Sequence, residues 1–165
     1  MNCRVVCMAS MLAISALGCV LPVIAAEPAA PAAPALAVDA GNVLGSVGIG
    51  VKDLDASIAF YGDVLGMRVL RRFELGYLNE VVLGFPDGAG ANVVLMNWPH
   101  EPARPYDGNN VKLVFYVHDP ASVIARIRAH GGRIDREAAP IEALNGTVVG
   151  LGRDPDNYVV ELLGR

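Results

Sequence analysis

The sequence predicts an α+β domain built from one βαβββ unit used twice. Residues match at a constant offset of 66: Val51 with Val117, Asp53 with Asp119, Ile58 with Ile124, and Gly66 with Gly132. Each half also carries one stretch of helical spacing between capping residues, set among β-rich stretches. Two copies of a single supersecondary unit account for both observations.

Taken in order, the chain opens on a targeting segment rather than on the domain. Arg4 supplies a positive charge, Val5 to Leu17 an apolar run, and Pro22 with Val23-Ile24-Ala25-Ala26 a small-residue cleavage region. Residues 1–26 are therefore expected to be a signal peptide and the protein to be exported, to the periplasm. Two alternatives stay open: an uncleaved membrane anchor, since Val5 to Ala26 is just long enough to span, and lipid attachment at Cys19 after Ala16-Leu17-Gly18. All three cysteines, Cys3, Cys7 and Cys19, lie in this segment. The cleaved chain then has no disulfide or thiol chemistry to offer. Residues 27–42, with Pro28, Pro31 and Pro34, have no apolar periodicity and read as an extended Ala/Pro tether.

The domain is expected over residues 43–165, with modules 43–98 and 111–165. In the first, Leu44 to Val51 is a strand. Asp53 caps a helix whose apolar face is Leu54, Ile58, Tyr61 and Leu65, and Gly66 ends it. Strands follow at Met67 to Leu75, Leu78 to Phe85 and Asn92 to Trp98, with a turn at Pro86-Asp87-Gly88. Residues 99–110, rich in proline, form the linker. In the second module Val111 to Val117 is a strand, and Asp119-Pro120 opens a helix in the favoured order of N-cap then N1 proline. Gly131-Gly132 ends it. Strands are expected at Arg133 to Ile141, Thr147 to Leu151 and Tyr158 to Leu163.

The formal charge is −4 and the pI about 5.3. With no Lys/Arg run, this excludes a polyanionic partner, so no nucleic acid is expected. No glycine-rich phosphate loop and no serine nucleophile elbow is present.

Val51-Lys52-Asp53-Leu54-Asp55, with Phe60-Tyr61 and Val64-Leu65-Gly66-Met67, resembles the opening of the vicinal oxygen chelate superfamily. That group holds the glyoxalases, extradiol dioxygenases and bleomycin-resistance proteins. Asp154-Pro155-Asp156-Asn157-Tyr158 with Glu161 resembles its closing segment. The second half is especially similar to lactoylglutathione lyase, through Ile127, Gly131-Gly132, Arg136-Glu137 and Pro140 to Glu161. The resemblance implies a curled mixed sheet around a cup, with metal ligands on the first and last strands of each module. Those positions fall on Ser46, Leu95, Lys112 and Glu161, and the repeat offset pairs them the same way. Only Glu161 has the chemistry of a ligand.

A catalytic divalent metal needs three or four nitrogen or oxygen donors. Leucine cannot ligate and an ammonium repels a cation. No cofactor and no metal are therefore expected, Glu161 being the one matching ligand position. Lys112 and Glu161 are expected as neighbours forming an opposite-charge pair. In the functional reading they are the catalytic residues: Lys112 stabilises an enolate or holds a carboxylate, and Glu161 moves a proton. Ser46, Leu95, Asn97, Tyr116 and Trp98 are the expected substrate-binding residues.

The leading expectation is an exported protein with a degraded metal site that binds a small molecule in its cup. The alternative is a lyase/isomerase of glyoxalase type, or a dioxygenase-related enzyme, working through an altered metal site or the Lys/Glu pair. The short linker favours exchange of modules across a homodimer.

Overall fold

The computed structural model describes residues 43–101, 105 and 110–165. The expected signal peptide, the tether and most of the linker lie outside the described residues. Among the described residues, no helix is long and apolar enough to cross a membrane.

The first module runs β1 (Ser46–Gly50), α1 (Leu54–Leu65), β2 (Arg68–Glu74), β3 (Asn79–Gly84) and β4 (Asn92–Asn97). The second repeats it as β5 (Lys112–Val117), α2 (Pro120–Ala129), β6 (Ile134–Ile141), β7 (Thr147–Arg153) and β8 (Val159–Gly164). A 3-10 turn at Glu142–Leu144 separates β6 from β7. Local chemistry sets these boundaries. The Asp53 side chain accepts from the N–H groups of Asp55 and Ala56, at 2.9 and 3.0 Å, and Asp119 does the same for Ala121 and Ser122. Gly66 closes α1 with a left-handed φ of 77°, and Gly131 follows α2 at 75°.

The strands form two separate four-stranded sheets, ordered β1-β4-β3-β2 and β5-β8-β7-β6. In each, the first and last strands of the module run parallel and the other pairings are antiparallel. This corrects the expected architecture. There is no single mixed sheet curled around a cup; neither sheet is curled or closed, and β1 and β5 are edge strands of different sheets.

Side chains of the second module cap the end of β1: Gly50 N–H donates to the Tyr158 hydroxyl at 3.1 Å and, just past the strand, Lys52 N–H donates to Asp156 at 3.0 Å. The modules meet through side chains instead, sharing one core in which Phe60, Tyr61 and Val64 of α1 lie with Ile124 and Ile127 of α2.

Candidate functional site

Alternation along β5 sorts its side chains cleanly. Leu113 and Phe115 are buried, whereas Lys112, Val114 and Tyr116 are exposed on the opposite face. On β8, Val160 and Leu162 are in the core. Glu161 between them therefore turns to the face that carries Lys112, the face away from α2.

The register places Lys112 opposite Val159 and Val114 opposite Glu161. A long lysine side chain spans that diagonal: Lys112 Nζ lies 2.7 Å from Glu161 Oε2, with the two side chains 49% and 18% exposed. The ammonium is thus half in water, and the carboxylate is the more enclosed partner. A contact of this kind contributes modest stability, because the exposed partner is well solvated without it. Tyr116 extends the same face of β5 and is 65% exposed.

The other expected residues belong to the first module. Ser46 opens β1, exposed, opposite Asn92. Leu95 is fully buried in the core, on the opposite face of β4 from Val94 and Met96. The registers explain this. Ser46 stands opposite Asn92, but Lys112 stands opposite Val159, one residue further along the last strand. The register counterpart of Glu161 is Val94, which pairs with Gly48 as Glu161 pairs with Val114. Asn97 shares the parity of Leu95 and its amide donates to the carbonyls of Val51 and Lys52, at 3.0 and 3.1 Å. It ties the end of β4 to the β1–α1 turn. Trp98 follows β4 and is half-buried. Among the described residues, no hydrogen bond or ion pair joins Ser46, Asn97 or Tyr116 to the Lys112–Glu161 contact.

A second polar cluster was not expected from the sequence. Asp154 and Asp156, in the β7–β8 turn, are 4% and 3% exposed. Asp154 accepts from the Tyr61 hydroxyl at 2.8 Å and from the N–H groups of Asp156 and Tyr158, at 3.0 and 2.8 Å. Asp156 accepts from Lys52 N–H and, at 3.3 Å, from the Ser57 hydroxyl. Burial pushes the Asp154 carboxyl up from 3.8 to about 6, against the donors that hold it down. Burial likewise raises Asp156, and burial followed by the charge of Asp154 raises the Tyr61 hydroxyl. Every donor and acceptor here is engaged within the protein, so the cluster fastens one module to the other. The Asp-Pro-Asp run was visible in the sequence, but two acids in a turn read as solvent-facing, and nothing local pointed to partners about 100 residues away.

The structure also contains a cleft of about 740 Å³ between the start of the first sheet and the edge strand β5. Lys112 reaches its wall and Glu161 does not. Among the described residues, no three His, Cys, Asp or Glu side chains are grouped to hold a metal ion. His130 sits at the end of α2, its Nε2 3.4 Å from Asp63 and its ring edge-on to Phe60.

Comparison with known proteins places this geometry. Residues 43–162 match the family described as the Glyoxalase/Bleomycin resistance protein/Dioxygenase superfamily. The lactoylglutathione lyase of Haemophilus influenzae is 36% identical over 120 residues, covering 68% of this chain and 85% of the relative. That of Salmonella typhimurium is 37% identical over 119 residues, with the same coverage. Among solved structures, the trypanothione-dependent glyoxalase I of Leishmania major superposes with a TM-score of 0.63 at 29% identity, covering 74% of this chain and 86% of that one. Glyoxalase I of Zea mays superposes with a TM-score of 0.58 at 26% identity, and the match covers 73% of this chain but only 43% of the maize protein.

Proposed function

The chain belongs to the glyoxalase/bleomycin resistance protein/dioxygenase superfamily, and on that premise we propose that it is a small-molecule enzyme of lyase/isomerase type. Its proton-handling pair is Lys112 and Glu161. The carrying observation is their 2.7 Å contact on the open face of the second sheet, together with relatives that are lactoylglutathione lyases.

The chemistry follows from the two groups. A substrate with a C–H bond next to a carbonyl gives that proton to the Glu161 carboxylate. The electron pair moves onto the carbonyl oxygen, where the Lys112 ammonium stabilises the enolate by a charge-assisted hydrogen bond. Glu161 then returns the proton to carbon.

The superfamily resemblance implied a chelated metal, and the residues present do not fit one. The single carboxylate is already paired with an ammonium, Ser46 offers a neutral hydroxyl, and both Leu95 and its neighbour Val94 are hydrocarbon. No step is therefore routed through a metal. This donor set supports the reading that the metal site is degraded. It also favours a second reading, in which Lys112 merely neutralises Glu161 and the protein binds a small molecule without turning it over.

Proton exchange separates the two. S-lactoylglutathione carries a C–H beside its thioester carbonyl, and in D₂O its loss is followed by ¹H NMR with the full chain. The enzyme reading expects exchange above the buffer rate that falls about 100-fold or more in Glu161→Gln. Line broadening without exchange supports binding alone. Neither effect would show that this thioester is the wrong substrate class.

We also infer export through residues 1–26 and a homodimer. Val69, Leu70 and Phe73 are between 39% and 51% exposed, large apolar side chains on β2, a strand with every residue exposed. Native mass spectrometry of the protein recovered from its producing cells reads both, as a species of twice the mass of residues 27–165. A monomer of full mass contradicts both inferences.

A further inference from the structure

The cleft beside β5 carries an inference independent of the Lys112–Glu161 reading. Its volume, about 740 Å³, is that of a small-molecule site. It exists because β5 is the edge strand of its sheet, and no strand of the first module covers that edge. Its wall draws on both modules. Phe85 directly follows β3 and Phe115 lies on β5, ring centroids 6.4 Å apart and edge to face.

The N-cap Asp119 and, on α2, Ser122, Val123 and Arg126 line the cleft at helical spacing. Arg126 is the unusual member. Its Nε donates to the Val64 carbonyl at 2.8 Å and its Nη1 to the Ser122 hydroxyl at 3.3 Å. Both acceptors are neutral, and among the described residues no carboxylate lies within ion-pair distance of the guanidinium. The guanidinium, on an exposed residue, is thus oriented by neutral acceptors alone. Lys112, by contrast, is matched by Glu161. The acids on the wall are turned to their own backbone: Asp119 caps α2, and Asp87 accepts from Ala89 N–H at 3.1 Å.

We propose that this cleft binds a small organic anion with a flat apolar body, its charged group on Arg126 and its body against Phe85 and Phe115. The guanidinium supplies a directional, charge-assisted pair, and the aromatic wall supplies the buried apolar area.

The test titrates the full chain with 8-anilinonaphthalene-1-sulfonate, an aromatic sulfonate whose fluorescence rises on burial. One saturable site is expected. Arg126→Gln weakens it about tenfold or more, and Phe73→Ser leaves it unchanged. Arg126 also ties α2 to Val64, so Ala91→Trp provides a second variant. Ala91 is exposed in the β3–β4 turn on the cleft wall, and an indole there obstructs the cleft while replacing no core residue. Absence of binding, affinity unaltered in Ala91→Trp, or binding lost in Phe73→Ser on the distant face of β2 overturns the proposal. Loss in Ala91→Trp with none in a folded Arg126→Gln overturns the anionic assignment.

Discussion

Gly132 stands where α2 gives way to β6, and its surroundings leave no room for a side chain. A Cβ there would lie 2.6 Å from Ile127 Cγ2 and 2.7 Å from the Arg153 carbonyl oxygen. The second contact is backbone, in a residue whose N–H donates to the Arg133 carbonyl at 2.9 Å, so it cannot swing aside as a side chain would. Gly48 is the instructive contrast. Its added Cβ would meet Met96 Cε at 3.0 Å and Sδ at 3.2 Å, the far end of a flexible chain that can swing aside. Gly132→Ala is therefore expected to cost about 1–3 kcal/mol and Gly48→Ala less than about 1 kcal/mol, since part of its strain is offset by a less flexible unfolded chain. Urea midpoints of the two variants check this, and equal midpoints contradict it.

The elements were legible in the sequence because their signals are local. Asp53 and Gly66 bound α1, Asp119-Pro120 and Gly131 bound α2, and the expected strands overlap the observed ones, with β7 running two residues further, to Arg153. Position within an element was less legible. Counting a constant offset from Glu161 lands on Leu95, yet the offset drifts by one residue before the last strand, because the turns of the two modules differ in length. In a strand, one residue is a change of face. Leu95 thus lies in the core, and Val94 takes the register position that counting had given to its neighbour. Lys112 and Glu161 escaped this ambiguity. Both are polar residues in β-strands whose neighbours are apolar, and alternation alone turns them to one face.

At the scale of the whole molecule, the modules are joined by contacts of long sequence separation, which no local pattern encodes. The Asp154 and Asp156 cluster is the polar part of that junction, and its ionisation links the junction to pH. In the folded chain burial raises Asp154 from 3.8 to about 6, so between these values the folded state holds a proton that the unfolded chain has released. The associated stability is fully present below about pH 4 and lost as pH rises through about 6, on the order of 2–3 kcal/mol. Asp156, raised by burial, acts in the same direction. Asp135 acts oppositely: burial alone would raise it, but hydrogen bonds from Arg133 and Arg153 hold it below its usual value. Its contribution is lost only as pH falls below the usual carboxylate range, outside the window in which Asp154 titrates. Stability is thus expected to decline between about pH 4 and 6, and Asp154→Asn is expected to flatten the decline. The asparagine amide can donate to Tyr61 while its oxygen still accepts from the Asp156 and Tyr158 N–H groups, so the junction keeps its bonds and loses only its titration. Asp154→Ala, which leaves those donors buried without a partner, should cost about 1–3 kcal/mol at every pH in the window. Urea denaturation of the three proteins at half-unit steps measures both effects, and a slope in Asp154→Asn equal to that of the parent protein would assign the pH dependence to other groups.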